Sequence, residues 1–289
     1  MESKPEEATA EELYDQSFIE VPAILDKHKA AAVVCDGKYI FEHFKNVVVY
    51  DFEFRQLPGE NPEPVCCTFK ELKSGKQFTH WYLSESHVWP FENKDTLYIC
   101  HSAVAEVSCM LELGIGVPDY VWDTYIQDMK LQRGIENKFS LLECCKRFGI
   151  KTISETQKGV YRDLIINNYP NYTDTEKQKI IEYNVSDVVE NEALFLGQVA
   201  EFEKRNSIFK TTLSQALFHG KANAVVAKIE RNGVPVNYEL YSDMEKYFPQ
   251  IKAQEIEELK KTADVYVGDK WNMKKFEIFL DKLGVLKDW

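Results

Sequence analysis

One segment constrains the fold of this chain more than any other: residues 46–54, which read Asn-Val-Val-Val-Tyr-Asp-Phe-Glu-Phe. The β-branched and aromatic residues predict a strand, and the unbroken apolar run through Tyr50 predicts that it is buried on both faces. Asp51 and Glu53 interrupt this pattern, and alternate residues of a strand share one face of the sheet. Two like charges on a buried strand are costly unless a cation lies between them. Such a pair alone is common in strands, so a metal site is predicted only if further acids converge on it.

The remaining pattern predicts an α/β layer with a mixed sheet, followed by helices. Two strand candidates joined by a Ser-Gly turn form a predicted hairpin, and two shorter strands follow. The predicted strands after the first cover residues 64–72, 77–83, 96–100 and 120–122. The predicted helices cover residues 103–113, 139–148, 173–199, 221–232, 238–262 and 273–283. The weakly patterned residues 207–220 are predicted to be a linker.

Charge and composition limit the possible classes of protein. The 289 residues carry a formal net charge of −12, which argues against a protein that coats DNA non-specifically. About half of this excess lies in the first 20 residues, and residues 1–16 are predicted to be an acidic flexible tail. No apolar run approaches the length of a membrane span, and the N-terminus has no apolar signal core. The chain is therefore expected to be intracellular and not secreted.

Cysteine spacing gives no sign of a zinc or redox site. The seven cysteines include two adjacent pairs but no CxxC motif. They are predicted to be small buried apolar residues in a reducing compartment.

Two further places carry acids where the pattern predicts burial. Glu106 is the only charge in the apolar segment 103–110, and it shares an inward face with Met110. Tyr183 and Asp187 lie one turn apart in a long helix that begins with a capping box at residues 173–176, so they are neighbours on one face. Each feature alone has an ordinary explanation, as a solvated glutamate or as a core tyrosine beside a surface acid. Only the combination of these acids with Asp51 and Glu53 points to a shared site.

This distribution of acids resembles the DEDD family of 3′–5′ exonucleases, in the branch that has a tyrosine. The motifs are Asp51-Phe52-Glu53, His101-Ser102-x3-Glu106 and Tyr183-x3-Asp187, within a resemblance that spans roughly residues 45–200. The family fold is a ribonuclease H-like mixed five-stranded sheet flanked by helices, in agreement with the predicted order of elements. The chain departs from the family at Glu106, where aspartate is usual, and at Ser102, where asparagine is usual.

The resemblance implies a reaction that depends on two metal ions. Hard oxygen ligands without cysteine or histidine suit two Mg²⁺ or Mn²⁺ ions. Asp51 would bridge both ions, Glu53 and Asp187 would complete one site, and Glu106 would hold the other ion through water. Tyr183 would orient the attacking water, and a nucleoside 5′-monophosphate would leave from a 3′ end.

Binding of a single strand also requires phosphate contacts and stacking surfaces. Lys158 and Arg162 are one helical turn apart and are candidates for contacts with the phosphate backbone, with a solvated basic face as the alternative. Phe54, His101 and Ser102 are the other candidate nucleic-acid contacts. Phe52 points away from the two strand acids and is predicted to lie in the core. Asp123-Thr124, which follows the fifth predicted strand, is interpreted as structural.

The C-terminal third resembles a different part of the same lineage. Residues 222–236 and 271–285 are similar to segments that follow the proofreading domain in family A DNA polymerases. The sequence therefore predicts an exonuclease domain over residues 17–205 and a helical extension over 206–289. The chain is too short to include a polymerase palm, so it is interpreted as the proofreading part of a longer polymerase, with a viral source as one interpretation.

The expected partners are a single-stranded DNA 3′ end, a polymerase domain in cis or other replication proteins, and no membrane. Two alternatives remain open. One is an exoribonuclease resembling ribonuclease D, which shares the tyrosine branch. The other is a nucleic-acid-binding module that kept the fold and lost catalysis, an alternative motivated by Ser102 and Glu106.

Overall fold

The structure is a computed structural model that describes residues 37–84, 89–205 and 212–289. The predicted acidic tail, residues 1–16, lies outside these ranges, as does Cys35. The described residues form two compact units, which divide between Asn232 and Gly233. Each unit is described by itself below.

The first unit contains the five predicted strands, with the predicted helix between the fourth and fifth strands and further helices after the fifth. Its strands are β1 (Asn46–Arg55), β2 (Glu63–Glu71), β3 (Gln77–Trp81), β4 (Thr96–Cys100) and β5 (Tyr120–Asp123). Its helices are α1 (Gly37–His43), α2 (Ala103–Glu112), α3 (Thr124–Gln132), α4 (Leu141–Arg147), α5 (Glu155–Asn168), α6 (Asp174–Arg205) and α7 (Leu213–Asn232). The predicted capping box begins α6, because the Thr173 hydroxyl accepts from the Glu176 N–H while the Glu176 carboxylate accepts from the Thr173 N–H.

The five strands form one mixed sheet in the order β3-β2-β1-β4-β5. The pairs β1/β2 and β2/β3 are antiparallel, whereas β1/β4 and β4/β5 are parallel. Helices flank this sheet, and further helices follow it. The ribonuclease H-like α/β fold with a helical C-terminal part is therefore confirmed.

Strand β1 lies at the centre of the sheet and is covered on both faces, as its sequence predicts. Val47 and Val49 point to the face covered by α6, where they join the cluster that contains Phe195. Tyr50 and Phe52 point to the opposite face and join the cluster that contains Val107 of α2 and Ala224 of α7. Phe52 is thus a core residue, as predicted. By the alternation of side chains, Asp51 and Glu53 extend the row of Val47 and Val49 toward α6.

Helix α7 belongs to the first unit, although the sequence predicted a linker over residues 207–220 and a domain boundary after residue 205. The helix begins at Leu213, and both Leu213 and Ala216 are buried. At Gly220 the helix backbone meets β5, where a Cβ atom would lie 2.0 Å from the carbonyl oxygen of Val121. The prediction of a linker was wrong from residue 213 onward, because a pattern rich in small residues gives a weak apolar signal while allowing close packing.

The second unit consists of two helices and a short hairpin. These are α8 (Tyr238–Lys260), β6 (Tyr266–Val267), β7 (Lys270–Trp271) and α9 (Met273–Lys282). The side chains of Asn237 and Asn272 accept the backbone N–H groups of Leu240 and Lys275, which fixes where each helix begins.

Two more expectations concern the whole described chain. The six cysteines within the described ranges are all buried and carry free thiols, in agreement with the prediction of small apolar residues. Among the described helices, none combines the length and the apolar character that a membrane crossing requires.

The contact at Gly220 leads to a test of stability. We expect Gly220→Ala to lower the free energy of unfolding by about 2 to 3 kcal/mol, because its methyl group would force α7 away from β5. The measurement is urea denaturation. The matched control is Gly159→Ala in α5, where an added Cβ meets nothing within 4 Å; this change should be neutral or stabilising by up to about 1 kcal/mol. Equal stabilities for the two variants would contradict the proposed close packing.

Candidate active site

Three of the predicted acids meet at one end of the sheet. Asp51 and Glu53 come from β1, and Asp187 comes from the middle of α6, which crosses that face. One carboxylate oxygen from each lies within 4.8 Å of the other two. Of all the His, Cys, Asp and Glu side chains in the described ranges, these three form the one group arranged to hold a metal ion. We refer to Asp51, Glu53 and Asp187 as the acidic cluster.

The cluster is electrostatically unfavourable without a counter-ion. Removal from water raises the pKa of the Asp51 carboxyl well above its ordinary value, and the charge of Asp187 raises it further. Burial raises the pKa of the Glu53 carboxyl in the same way, with the charge of Asp51 as the next cause. Both shifts show that ionising these groups is costly here, and a divalent cation among the three carboxylates would reduce that cost.

A buried asparagine that the sequence analysis missed holds Asp51 in place. Asn184 Nδ2 donates to Asp51 Oδ2 at 2.8 Å and to the Asp51 carbonyl oxygen at 3.0 Å. Because Asn184 precedes Asp187 by three residues, helical spacing alone places both on one face. Within the described residues, Oδ1 of Asn184 is buried and has no hydrogen-bond partner. An additional polar group beside Asp51 would satisfy that oxygen.

Tyr183 is positioned by stacking. Its ring is buried and lies nearly parallel to the ring of Tyr161, with 4.9 Å between centroids and 8° between planes. Burial, followed by the charge of Asp187, raises the pKa of the Tyr183 hydroxyl. The phenol therefore keeps its proton at neutral pH and is a hydrogen-bond donor rather than a base.

Glu106 has a role that the sequence does not reveal. Strand β4 pairs with β1 only as far as Val49, so the edge of β1 beyond that residue has no neighbouring strand on this side. Glu106 Oε2 accepts the backbone N–H of Phe52 at 2.8 Å and so supplies a hydrogen bond that a neighbouring strand would otherwise make. Burial and the charge of Asp51 raise the pKa of the Glu106 carboxyl. Glu106 is near the acidic cluster without belonging to it, and its role as a metal ligand stays a prediction.

The N-terminus of α2 is fixed by Asp123, which agrees with its structural interpretation. Its buried carboxylate accepts the N–H groups of Ser102 and Ala103 at 3.0 and 2.8 Å. It also accepts the N–H of Tyr125 at 3.0 Å and so caps α3. Ser102 itself adopts a left-handed conformation with φ of 70°. This geometry turns the chain from β4 into α2.

His101 is committed to internal contacts on both sides of its ring. Its Nε2 lies 2.9 Å from the carbonyl oxygen of Phe139, and its Nδ1 lies 2.9 Å from the hydroxyl of Thr124. Because a carbonyl only accepts, Nε2 carries the proton. Burial lowers the pKa of His101, which favours the neutral ring. His101 thus links β4 to α3 and to the residues before α4.

Lys158 is not on a solvated basic face. It is buried, and its Nζ donates to Asp187 Oδ1 at 2.6 Å and to Glu190 Oε2 at 3.0 Å. Burial works to lower the pKa of Lys158, but the two carboxylates outweigh it and the pKa is raised. Glu190 was missed by the sequence analysis, although it follows Asp187 by three residues and so lies on the same face of α6. The prediction of Lys158 as a phosphate contact conflicts with this pairing, because its ammonium group already has two partners.

A cavity of about 460 Å³ opens over the acidic cluster. Eight of the predicted site residues line this cavity, whereas Glu106 and Ser102 do not. The eight are Asp51, Glu53, Phe54, His101, Lys158, Arg162, Tyr183 and Asp187. The lining also includes apolar residues of α4 and α5, namely Leu141, Leu142, Ile165 and Ile166. The cavity therefore combines carboxylates with apolar surface.

Comparison with known proteins gives similarity of fold only. No protein-family model matches the chain, and no curated protein matches it. A solved structure described as the apo form of a nuclease aligns with a TM-score of 0.49 and 14% identity, over 70% of this chain and 93% of that chain. NrnC from Brucella melitensis aligns with a TM-score of 0.48 and 17% identity, over 67% of this chain and 89% of that chain. Neither similarity is strong enough to bear on function, which is argued below from the site.

The raised pKa values predict how stability depends on pH when divalent cations are absent. In the unfolded chain Glu53 loses its proton near the ordinary glutamate value of 4.5, whereas the folded protein keeps it to a higher pH. Over that interval the folded state binds more protons, so this group makes the protein less stable as pH rises. We expect Glu53→Gln to flatten the fall in stability above about pH 4.5. The measurement is thermal unfolding in EDTA at a series of pH values, and parallel profiles for the two proteins would contradict the argument.

Proposed function

We propose that this protein is a metal-dependent 3′–5′ exonuclease that hydrolyses single-stranded DNA from its 3′ end. The observation that carries the proposal is the convergence of Asp51, Glu53 and Asp187 beside Tyr183 in one open cavity. These residues were selected from two sequence motifs about 130 residues apart, and they lie together in the fold. A scaffold without catalysis would have little reason to keep a repulsive cluster of acids at the floor of a cavity.

The donor set suits two hard divalent cations. Asp51, Glu53 and Asp187 offer carboxylate oxygens, and none of the three is a nitrogen or sulfur ligand, which favours Mg²⁺ or Mn²⁺ over zinc. The orphan Oδ1 of Asn184 adds a buried acceptor beside Asp51. Bound ions of this kind lower the pKa of a coordinated water and stabilise the charge that develops on the leaving oxygen. Glu106, whose carboxylate accepts the Phe52 N–H at the edge of β1, would hold the second ion through water.

The chain's own side chains perform the remaining tasks. The protonated hydroxyl of Tyr183 would donate a hydrogen bond that orients the attacking water, and its stack on Tyr161 fixes the direction of that donor. Asn184 holds the Asp51 carboxylate in one orientation. Arg162, one turn beyond Lys158 on α5, lines the cavity and would contact the phosphate backbone.

The cavity suits one terminal nucleotide. Its volume of about 460 Å³ lies within the ordinary range for small-ligand sites. Phe54 and the apolar side chains of Leu142 and Ile166, which line the same cavity as the acids, would pack against a base or sugar. Hydrolysis would release a nucleoside 5′-monophosphate.

We further propose that the chain serves as the proofreading part of a DNA polymerase, in the cell interior. Support comes from the resemblance of residues 222–236 and 271–285 to family A polymerases. The second unit also exposes many large apolar side chains, as expected of a segment that packs against another domain or a replication protein. Those most exposed include Val234, Val236, Tyr238, Leu240 and Trp289.

The first test is removal of one metal ligand without a change of shape. Asp51→Asn keeps an oxygen that can accept the Asn184 amide but removes the charge. We expect it to reduce Mg²⁺-dependent release of nucleoside 5′-monophosphates by about a thousandfold or more, since the loss of bound metal removes several kcal/mol of stabilisation from the transition state. The matched control is Glu182→Gln, an exposed acid on α6 outside the cavity, which should leave the rate unchanged.

Direction and sugar preference need a separate experiment. DNA and RNA single strands of the same sequence, labelled at the 5′ end or the 3′ end, are digested side by side with Mg²⁺ or Mn²⁺. We expect ladders that shorten from the 3′ end, with DNA degraded faster than RNA. Faster degradation of RNA would overturn the choice of substrate. Absence of hydrolysis with either ion would overturn the enzyme assignment in favour of a binding module.

A further inference from the structure

The acidic cluster has a cation of its own. Among the described residues, Lys158 is the only lysine or arginine whose side chain is buried, and its ammonium contacts Asp187 directly. Asp187 is also one of the three carboxylates arranged to hold a metal ion. The same residue therefore has two possible cationic partners. An ammonium at 2.6 Å from Oδ1 competes with any metal ion that binds there.

Glu190 gives Lys158 a second acceptor that is not part of the acidic cluster. Its Oε2 lies 3.0 Å from Nζ of Lys158, and its Oε1 accepts the backbone N–H of Ile153 at 3.2 Å. The hydrogen bond from Ile153 keeps the carboxylate of Glu190 turned toward α5. Only 5% of the Glu190 side chain is exposed, so water solvates its carboxylate poorly and the charge depends on partners within the protein.

We propose that Lys158 is an exchangeable internal counter-ion: it neutralises Asp187 when no metal is bound, and it moves to Glu190 alone when a divalent cation takes Asp187. In this exchange Lys158 and Glu190 act as positioning residues that set the affinity of the site for metal. The inference deepens the proposed function, because it rests on the acidic cluster being a metal site.

The exchange follows from the cost of burying charge. A lysine ammonium with 7% of its side chain exposed cannot be left without a partner when the metal displaces it. Glu190 removes that penalty, because it already lies within hydrogen-bond distance and no large movement is needed. Among the described neighbours, the Tyr183 ring lies 5.9 Å from Nζ, and Asp51, whose pKa the charge of Lys158 lowers, belongs to the acidic cluster that the metal would occupy. Without Glu190, metal binding would have to break a buried ion pair outright.

The two residues should therefore shift metal affinity in opposite directions. The test uses the full chain and Mn²⁺ alone, titrated in metal-free buffer and followed by isothermal titration calorimetry. We expect Lys158→Met to lower the Kd for Mn²⁺ by about fivefold or more, because the competitor is gone. We expect Glu190→Gln to raise the Kd by about threefold or more, because Lys158 then holds Asp187 more tightly. The controls are Lys179→Met and Glu182→Gln, exposed residues of α6 that change the same charges outside the cavity.

A double mutant separates exchange from a general effect of charge. If Glu190 acts by accepting Lys158, then Glu190→Gln should lose most of its effect in the Lys158→Met background. If it acts only through its field, the effect is the same in both backgrounds, and the exchange is overturned. Thermal unfolding gives a second readout. Lys158→Met should lower the Tm in EDTA. In separate samples without EDTA, Mn²⁺ should raise the Tm of the variant by more than it raises the Tm of the wild type. Should Lys158→Met fail to fold, Lys158→Gln replaces it, since it keeps an N–H donor without the charge.

The result also distinguishes this inference from the proposed function. Mn²⁺ binding that Asp51→Asn abolishes, together with unchanged affinity in the Lys158 and Glu190 variants, leaves the metal site standing and overturns the exchange. Absence of Mn²⁺ binding by the wild-type protein overturns both.

Discussion

Repulsion among carboxylates at the end of one buried strand is the constraint on which the rest of this structure depends. Strand β1 carries Asp51 and Glu53 on the face where Val47 and Val49 would predict only apolar contacts. Helix α6 then adds Asp187 to the same place. Two polar contacts hold these charges in position: Asn184 donates to Asp51, and Lys158 pairs with Asp187. Burial of the apolar side chains of α6 and β1 offsets the free-energy cost of holding these like charges together.

The opening above the cluster is a consequence of sheet topology. Parallel pairing of β4 with β1 ends at Val49, and the chain turns into α2 through the left-handed Ser102. That divergence leaves part of the β1 edge without a partner strand, and the carboxylate of Glu106 satisfies it at Phe52. Asp123 and His101 then secure the surrounding segments by hydrogen bonds that are internal to the protein. The site thus lies where the carboxyl ends of parallel strands separate, supported by a buried layer of polar contacts.

The sequence was sufficient to predict five strands along the chain and to select the acidic cluster and Tyr183, because each depends on local periodicity or on a short motif. It did not predict α1 or α3, and it gave only the spacing of Lys158 and Arg162 within α5. Only Lys158 and Ile165 are buried in that helix, so no apolar stripe marks it. The pairing of Lys158 with α6 spans about thirty residues of sequence, and no local rule reaches that far. Asn184 and Glu190 were within reach, since both lie three residues from Asp187, but a polar residue on a helix is ordinarily taken as solvated.

The balance of charge links these observations to function. Asp51, Glu53, Glu106, Asp187 and Glu190 are five carboxyl groups that influence one another across the site, and Lys158 supplies one positive charge. If these six groups are all ionised, they carry an excess of four negative charges. Arg162, whose charge lowers the pKa of Glu53, offsets part of this excess, and divalent cations would offset the rest. The protein without metal instead relies on raised pKa values, at Asp51, Glu53 and Glu106, to limit the repulsion. Such a site favours the binding of a small cation of high charge, such as a divalent metal ion. Because the hydrogen bonds of Lys158 go to Asp187 and Glu190, Asp51 and Glu53 remain available, and they are the two carboxylates of β1 that line the open cavity.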